Sequence, residues 1–337
     1  MKVLVYFSSE KHKANFEGDR LRKTIAGALN RSEVEYALEP NDTSDIVHLV
    51  SPEDVEIAEA ANDKGIPVVY SALYTEGDPK ARFVDKKTGI AHLTPQAIKA
   101  LSYASLILVP TPGCKNFLIS EGIEVPIEIS SCAVNKSRFN LDKDVEKELF
   151  WRYFQREPNN ELIICTGEYD NIDAIETFLQ VAKRFPQVDF YFFGKQKNWF
   201  TLPRVCKRAI RRKSKNAYFS SLVPDDIYRS GMINAKAYIL PGYTMAGVVT
   251  LMDAMASKTQ IFALNKTVFK DEVIDKETGY VAISGMELIN LLTKYLDGEI
   301  PPTVEKAYEI ATKQTLEQLG SFLKKQYNRL LANRKKD

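Results

Sequence analysis

The chain lacks most of the features that would reveal a function by composition alone. Its four cysteines, Cys114, Cys132, Cys165 and Cys206, form no CxxC pair and have no metal-like spacing with His12, His48 or His92. A disulfide scaffold and a zinc-ribbon arrangement are thereby excluded, and free, mostly buried thiols in a reducing cytoplasm are expected, with no metal. No run approaches the ~20 apolar residues that a membrane span needs. The opening MKVLVYFSSE reads as a strand followed by polar residues, not as the charged-then-apolar order of a signal peptide. A charge imbalance is missing too: 46 Lys and Arg against 44 Asp and Glu leave a formal net charge of +2. Any basic surface must therefore be local, and nucleic acid is not an expected partner.

What is present describes a soluble protein with two cores. At 337 residues, of which 45% are hydrophobic and 27% charged, the chain suits two domains of roughly 150 residues each. Short apolar runs bounded by turn residues, such as KVLVYF (2–7), IPVVYSA (66–72), SLILV (105–109), LIICT (162–166) and VDFYFFG (188–194), read as strands covered on both faces. Between them lie segments with helical spacing, Leu21, Ile25 and Leu29 among them. Such alternation predicts an α/β protein with mostly parallel, doubly wound sheets. The charged stretch Asn140 to Asn160 interrupts it, and the pattern restarts at Leu162. The expected organisation is an N-terminal Rossmann-like domain over 1–140, a linker region over 141–160, a second Rossmann-like domain over 161–310 and a C-terminal helix over 311–337. The stretch Thr303 to Lys336 reads as helix.

The centre of the second half is AYILPGYTMAGVVTLMDAMASKTQIFALN, from Ala237 to Asn265. It predicts a strand to Leu240, a Pro241-Gly242 turn, a helix from about Ala246 to Ala256 and a strand from Gln260 to Leu264. That order makes a parallel βαβ unit. Ligands of open α/β sheets sit outside the carboxyl ends of the strands, so one is expected at the loop Tyr243 to Gly247.

Four stretches resemble the glycosyltransferases of family 4: GIPVVYSALYTEGD (65–78), SLILVPTPGCKNFLISEGIEVPIEIS (105–130), IDAIETFLQVAKRFPQVDFYFFG (172–194), and the central unit with VFKDEVIDKETGYVA (268–282). The likeness is to bacterial enzymes that add a sugar to diacylglycerol or monoglycosyl diacylglycerol. It implies the GT-B fold, two Rossmann-like domains facing across a cleft with a C-terminal helix crossing back. It also implies a nucleotide diphosphate sugar, such as a UDP-sugar, as donor for an active enzyme, with no further cofactor.

Carried over one position at a time, the resemblance also shows where the polar contacts have changed. The family places a carboxylate at the entrance of the central helix, for the donor sugar, and another eight positions later, for the ribose. Here those positions are Met245 and Asp253, with Thr244 and Gly247 beside them. A thioether cannot accept the strong hydrogen bonds that a carboxylate accepts from a sugar hydroxyl. Asp253 either reaches a ribose or is a partly exposed helix carboxylate. An Arg and a Lys five residues apart should neutralise the diphosphate, but Glu168 and Asp173 stand there. Each such reversal replaces attraction by repulsion of about 4 kcal/mol at about 4 Å and an effective dielectric near 20. Where the family has a catalytic-face histidine, this chain has Ser71 and Leu73. The loop after the first strand, Phe7 to Gly18, holds one glycine, at its end, and is no phosphate cradle.

Two further features stand apart from the resemblance. The run KRAIRRKSK (207–215) would set five cations on one broad helix face, suited to anionic lipid, to an acidic partner or simply to solvent. Trp199 and Phe200 put two large aromatics in a loop beside it. Two functional readings follow. In the first, the chain keeps the fold, has abandoned the donor site and acts as a non-catalytic or specialised partner of a related glycosyltransferase, cytoplasmic and peripheral at the inner membrane face. In the second, it is an active retaining transferase moving a hexose to a lipid or glycolipid.

Overall fold

The computed structural model describes residues 1–7, 16–40, 43–50, 54–74, 82–84, 91–130, 132–139, 144–158, 161–167, 169–194, 199–221, 223–241, 247–264 and 273–334. The chain forms two compact units: Met1–Val134 with Gln314–Asp337, and Asn135–Lys313.

The first unit runs β1 (Lys2–Tyr6), α1 (Phe16–Arg31), β2 (Glu35–Ala37), β3 (Ile46–Leu49), α2 (Val55–Asp63) and β4 (Val68–Ser71). An antiparallel pair, β5 (Arg82–Val84) and β6 (Ala91–Leu93), follows, then α3 (Pro95–Ser102), β7 (Leu106–Val109), α4 (Pro112–Ser120) and β8 (Ile127–Ile129). Six strands make a parallel sheet in the order β2-β1-β3-β4-β7-β8. The apolar strands are buried because helices cover the sheet, and α1 turns Leu21, Ile25 and Leu29 inward. Helices α3 and α4 begin alike: Thr94 and Thr111 accept from the N–H three residues on, and Pro95 and Pro112 occupy the first helical position.

The second unit holds a 3-10 turn at Lys136–Phe139, α5 (Asp144–Tyr153), β9 (Leu162–Thr166), α6 (Ile172–Arg184), β10 (Asp189–Phe193), a 3-10 turn at Trp199–Thr201 and α7 (Arg204–Arg211). It continues with β11 (Ala217–Ser220), α8 (Asp225–Asn234), β12 (Ala235–Leu240), α9 (Gly247–Ala256), β13 (Gln260–Leu264), β14 (Tyr280–Ala282), α10 (Gly285–Leu296) and α11 (Val304–Lys313). Its sheet is parallel in the order β11-β10-β9-β12-β13-β14. The order reverses between β9 and β12, which is where an open α/β sheet leaves a crevice. Phe178 of α6 meets Phe192 of β10 edge-on, with ring centres 5.2 Å apart, in the core under one face. Within 141–160, α5 buries Phe150 and Trp151 in this unit.

The final helical stretch differs from the expected single run. Helix α11 stops at Lys313 and α12 (Leu316–Arg334) starts afresh. The cause is a capping box: Gln318 N–H donates to Thr315 Oγ1 at 3.2 Å, and Thr315 N–H donates to Gln318 Oε1 at 3.1 Å. At the break Val134 N–H donates to Gln314 O at 3.0 Å, which fastens the returning chain to the first unit. There α12 packs along α1 and buries Leu319, Leu323 and Tyr327.

Candidate functional site

In the second unit the strand order reverses between β9 and β12, and their carboxyl ends are where a ligand is expected. These neighbours are held in parallel register, Ile239 against Cys165. Past β9, Gly167 N–H donates to Phe193 O at 3.0 Å, and past β10, Gly194 N–H donates to Ser220 O at 3.2 Å. The two glycines allow these strand ends to touch, because a Cβ on Gly194 would strike the carbonyl oxygen of Gly167.

Asp253 sits on α9, which Gly247 begins. It is only 1% exposed, so it is not the partly exposed helix carboxylate considered from sequence. A carboxylate taken this far from water needs a cation, and Arg138, from the turn Lys136–Phe139, brings Nη1 to 3.5 Å from Oδ1. The same guanidinium donates through Nη2 to Asp225 Oδ1 at 2.5 Å. Arg229 Nε lies 3.3 Å from Asp225 Oδ2, and Arg229 Nη1 donates to Arg138 O at 3.0 Å. Two arginines and two aspartates thus lie together beside α9. Of this group only the Asp225/Arg229 spacing of four, on the first turns of α8, was readable in the sequence. Arg138 carried no local signal.

Asp173 lies exposed in the first turn of α6, beside the Asn171 cap that accepts from Ala174 N–H at 3.2 Å. A carboxylate is well placed at a helix N-terminus, and there it occupies the positive end that would otherwise draw a phosphate. Glu168, Thr244 and Met245 lie outside the described residues.

In the first unit Ser71 and Leu73 are both buried. Ser71 ends β4 and places Oγ 2.8 Å from Nε2 of His48, which stands on the adjacent strand β3. The other ring nitrogen, Nδ1, lies 2.6 Å from the hydroxyl of Tyr327 on α12. The imidazole has no exposed surface, and burial lowers its pKa to about 3. It is therefore neutral, with one N–H, so one hydroxyl accepts from the ring while the other donates to it. Burial likewise raises the Tyr327 phenol. The pocket lined by His48, Ser71, Leu73, Pro110, Ser130 and Cys132, among others, has about 20 Å³ open to water, room for a single water molecule. The position where the resemblance expects a working histidine is thus part of a packed polar core, and the histidine supplied from β3 is locked within it. His48 was missed as a partner because its separation from Tyr327 is 279 residues.

Among the described residues no group of three His, Cys, Asp or Glu could hold a metal ion. All four cysteines are free and buried, and among the described residues no helix is long and apolar enough to cross a membrane.

Comparison of the whole backbone decides the fold. The chain superposes on HepE from Anabaena, solved in complex with UDP and glucose, with a TM-score of 0.74 at 12% identity, covering 98% of this chain and 100% of HepE. The chain has the GT-B fold. The sucrose-phosphate synthase of Thermosynechococcus elongatus matches with a TM-score of 0.68 at 13% identity, over 94% of this chain and 80% of the synthase. In sequence, this GT-B chain is 25% identical over 333 residues to the processive diacylglycerol alpha-glucosyltransferase of Acholeplasma laidlawii, covering 98% of this chain and 99% of the enzyme. No family model matches. The expected relation to glycosyltransferases that glycosylate diacylglycerol is thus supported along the whole chain, and the expected α/β GT-B class with its C-terminal helix is what the strands and helices form.

Proposed function

We propose that this GT-B chain, of the family 4 type, does not itself transfer sugar from a nucleotide donor and serves as a partner of a related glycolipid-forming glycosyltransferase at the cytoplasmic face of a membrane. The observation that carries the reading is Asp253. Of the two positions where the resemblance expects a carboxylate it is the one that keeps it, and it is buried and ion-paired with Arg138. Arg138 already supplies the counter-charge of this carboxylate, and burial keeps it from solvent. Asp173 adds repulsion at the helix end where a diphosphate would lie. Ser71 and Leu73 stand at the catalytic-face positions, and the imidazole beside them, that of His48, is fully buried and held between Ser71 and Tyr327. Titration calorimetry with UDP-glucose and UDP-galactose is the test. We expect no binding tighter than millimolar, and micromolar affinity for either sugar would sink the reading. The partner role is tested by adding the chain to an active relative, whose turnover on diacylglycerol vesicles should rise.

A second reading, an active lipid hexosyltransferase, is favoured by the full-length likeness to the Acholeplasma laidlawii enzyme. It requires labelled hexose from a UDP-sugar to appear in diacylglycerol when this chain is the sole protein present.

A further inference from the structure

The second unit carries one strongly charged surface away from Asp253. Helix α7 turns Cys206, Ala209 and Ile210 onto the core. On its other side Arg204, Lys207, Arg208, Arg211 and Arg212 line a shallow depression of about 310 Å³. Residues 204–215 include no Asp or Glu, and among the described residues none of these five cations is ion-paired with a carboxylate. So dense a group of like charges repels itself unless a counter-charge covers it.

The turn just before α7 adds something that a counter-charge alone does not explain. Phe200 is 85% exposed, and Val205 in the first turn of α7 is also exposed. The turn is held against the helix: Lys207 Nζ donates to Phe200 O at 3.0 Å, and the Arg211 guanidinium lies 5.3 Å from the centre of the Trp199 ring. Trp199 itself packs on the core beneath. A phenyl ring is thereby presented to solvent beside five cations, on backbone that is tied in place.

We propose that this surface docks on an anionic lipid bilayer, with the α7 cations against lipid phosphates and the Phe200 ring in the boundary between headgroups and acyl chains. A soluble polyanion would match the charge but would leave the ring in water. A bilayer interface takes both, since cations on long apolar stems reach the phosphates while an adjacent aromatic enters the boundary. Near-neutral overall charge fits this local mode of attachment. The inference rests on the proposed function only in taking the membrane as the place of action, and vesicle binding is measured without any sugar nucleotide. Failure at the donor site and failure at this surface are therefore read separately.

The full chain is sedimented with vesicles of phosphatidylcholine alone or of phosphatidylcholine and phosphatidylglycerol in equal parts. We expect binding to the anionic vesicles only, weakening as salt rises. Arg204 and Arg208 are exposed, so the double variant Arg204→Ala with Arg208→Ala should fold as before, with circular dichroism confirming it, and should bind roughly 25-fold more weakly, at roughly fivefold per cation. Phe200→Ser should remove the fraction that resists salt, and brominated lipid should quench tryptophan emission. Equal binding to both vesicle types, or binding to neither, overturns the proposal. So does binding that heparin abolishes and Phe200→Ser leaves unchanged, which would assign the surface to a soluble polyanion.

Discussion

Glu168 and Asp173 are carboxylates at the two positions where the resemblance expects cations, and their effect on a dianionic diphosphate is repulsive whatever the surrounding packing. Each repulsion of about 1.4 kcal/mol weakens binding tenfold. Glu168→Arg with Asp173→Lys should therefore bring UDP-sugar affinity into a measurable range in calorimetry while turnover stays absent, because Met245 remains. Turnover appearing together with binding would show that Met245 is no obstacle. His48 gives a second residue-scale expectation. Its folded pKa, about 3, lies below the ordinary 6.5, so the unfolded chain takes up the proton first. The stability that neutral His48 contributes is complete above about pH 6.5 and is lost as pH falls towards 3, at up to about 1.4 kcal/mol per pH unit. Urea unfolding at about pH 7.5 and about pH 5 should show roughly 2 kcal/mol more loss in the unmodified protein than in His48→Gln. Equal losses in the two would mean that His48 is hydrated or charged in the folded state.

At the scale of elements, the contact of α12 with α1 depends on one residue without a side chain. A Cβ on Gly320 would run into the carbonyl oxygen of Ala28 and the hydroxyl of Ser32. Gly320→Ala must push two helix backbones apart, which costs on the order of 3 kcal/mol, and calorimetric melting of the first unit should fall by roughly 10 °C. A melting temperature raised by the better helix former would show that the helices are not so closely held. The elements also show why some structure was legible and some was not. Short apolar runs between turn residues located most of the parallel strands. The pair β5 and β6 and the strand β14 are three residues each, too short for any period to appear. The break before α12 was written in Thr315 and Gln318, a local signal that helical spacing on both sides concealed.

For the whole molecule, the first unit is discontinuous in sequence and the second is not. A fragment spanning 135–313 should fold alone. A fragment spanning 1–134 should not, because α12 covers α1 and supplies the hydroxyl that meets His48. Amide dispersion in NMR spectra of the two fragments, and of 1–134 with an added 314–337 peptide, checks this. A cooperative melt of 1–134 by itself would contradict it. Local sequence alone determined the α/β alternation and the basic run of α7, because periodicity, residue charge and chain adjacency are properties of neighbours. Only the tertiary structure decided that Asp253 is buried against Arg138, that Ser71 belongs to a core with His48 and Tyr327, and that Phe200 stands out beside the cations. Those outcomes depend on which distant segments the parallel crossovers and the returning helix bring together, and on whether water is excluded there, neither of which is encoded in the spacing of nearby residues.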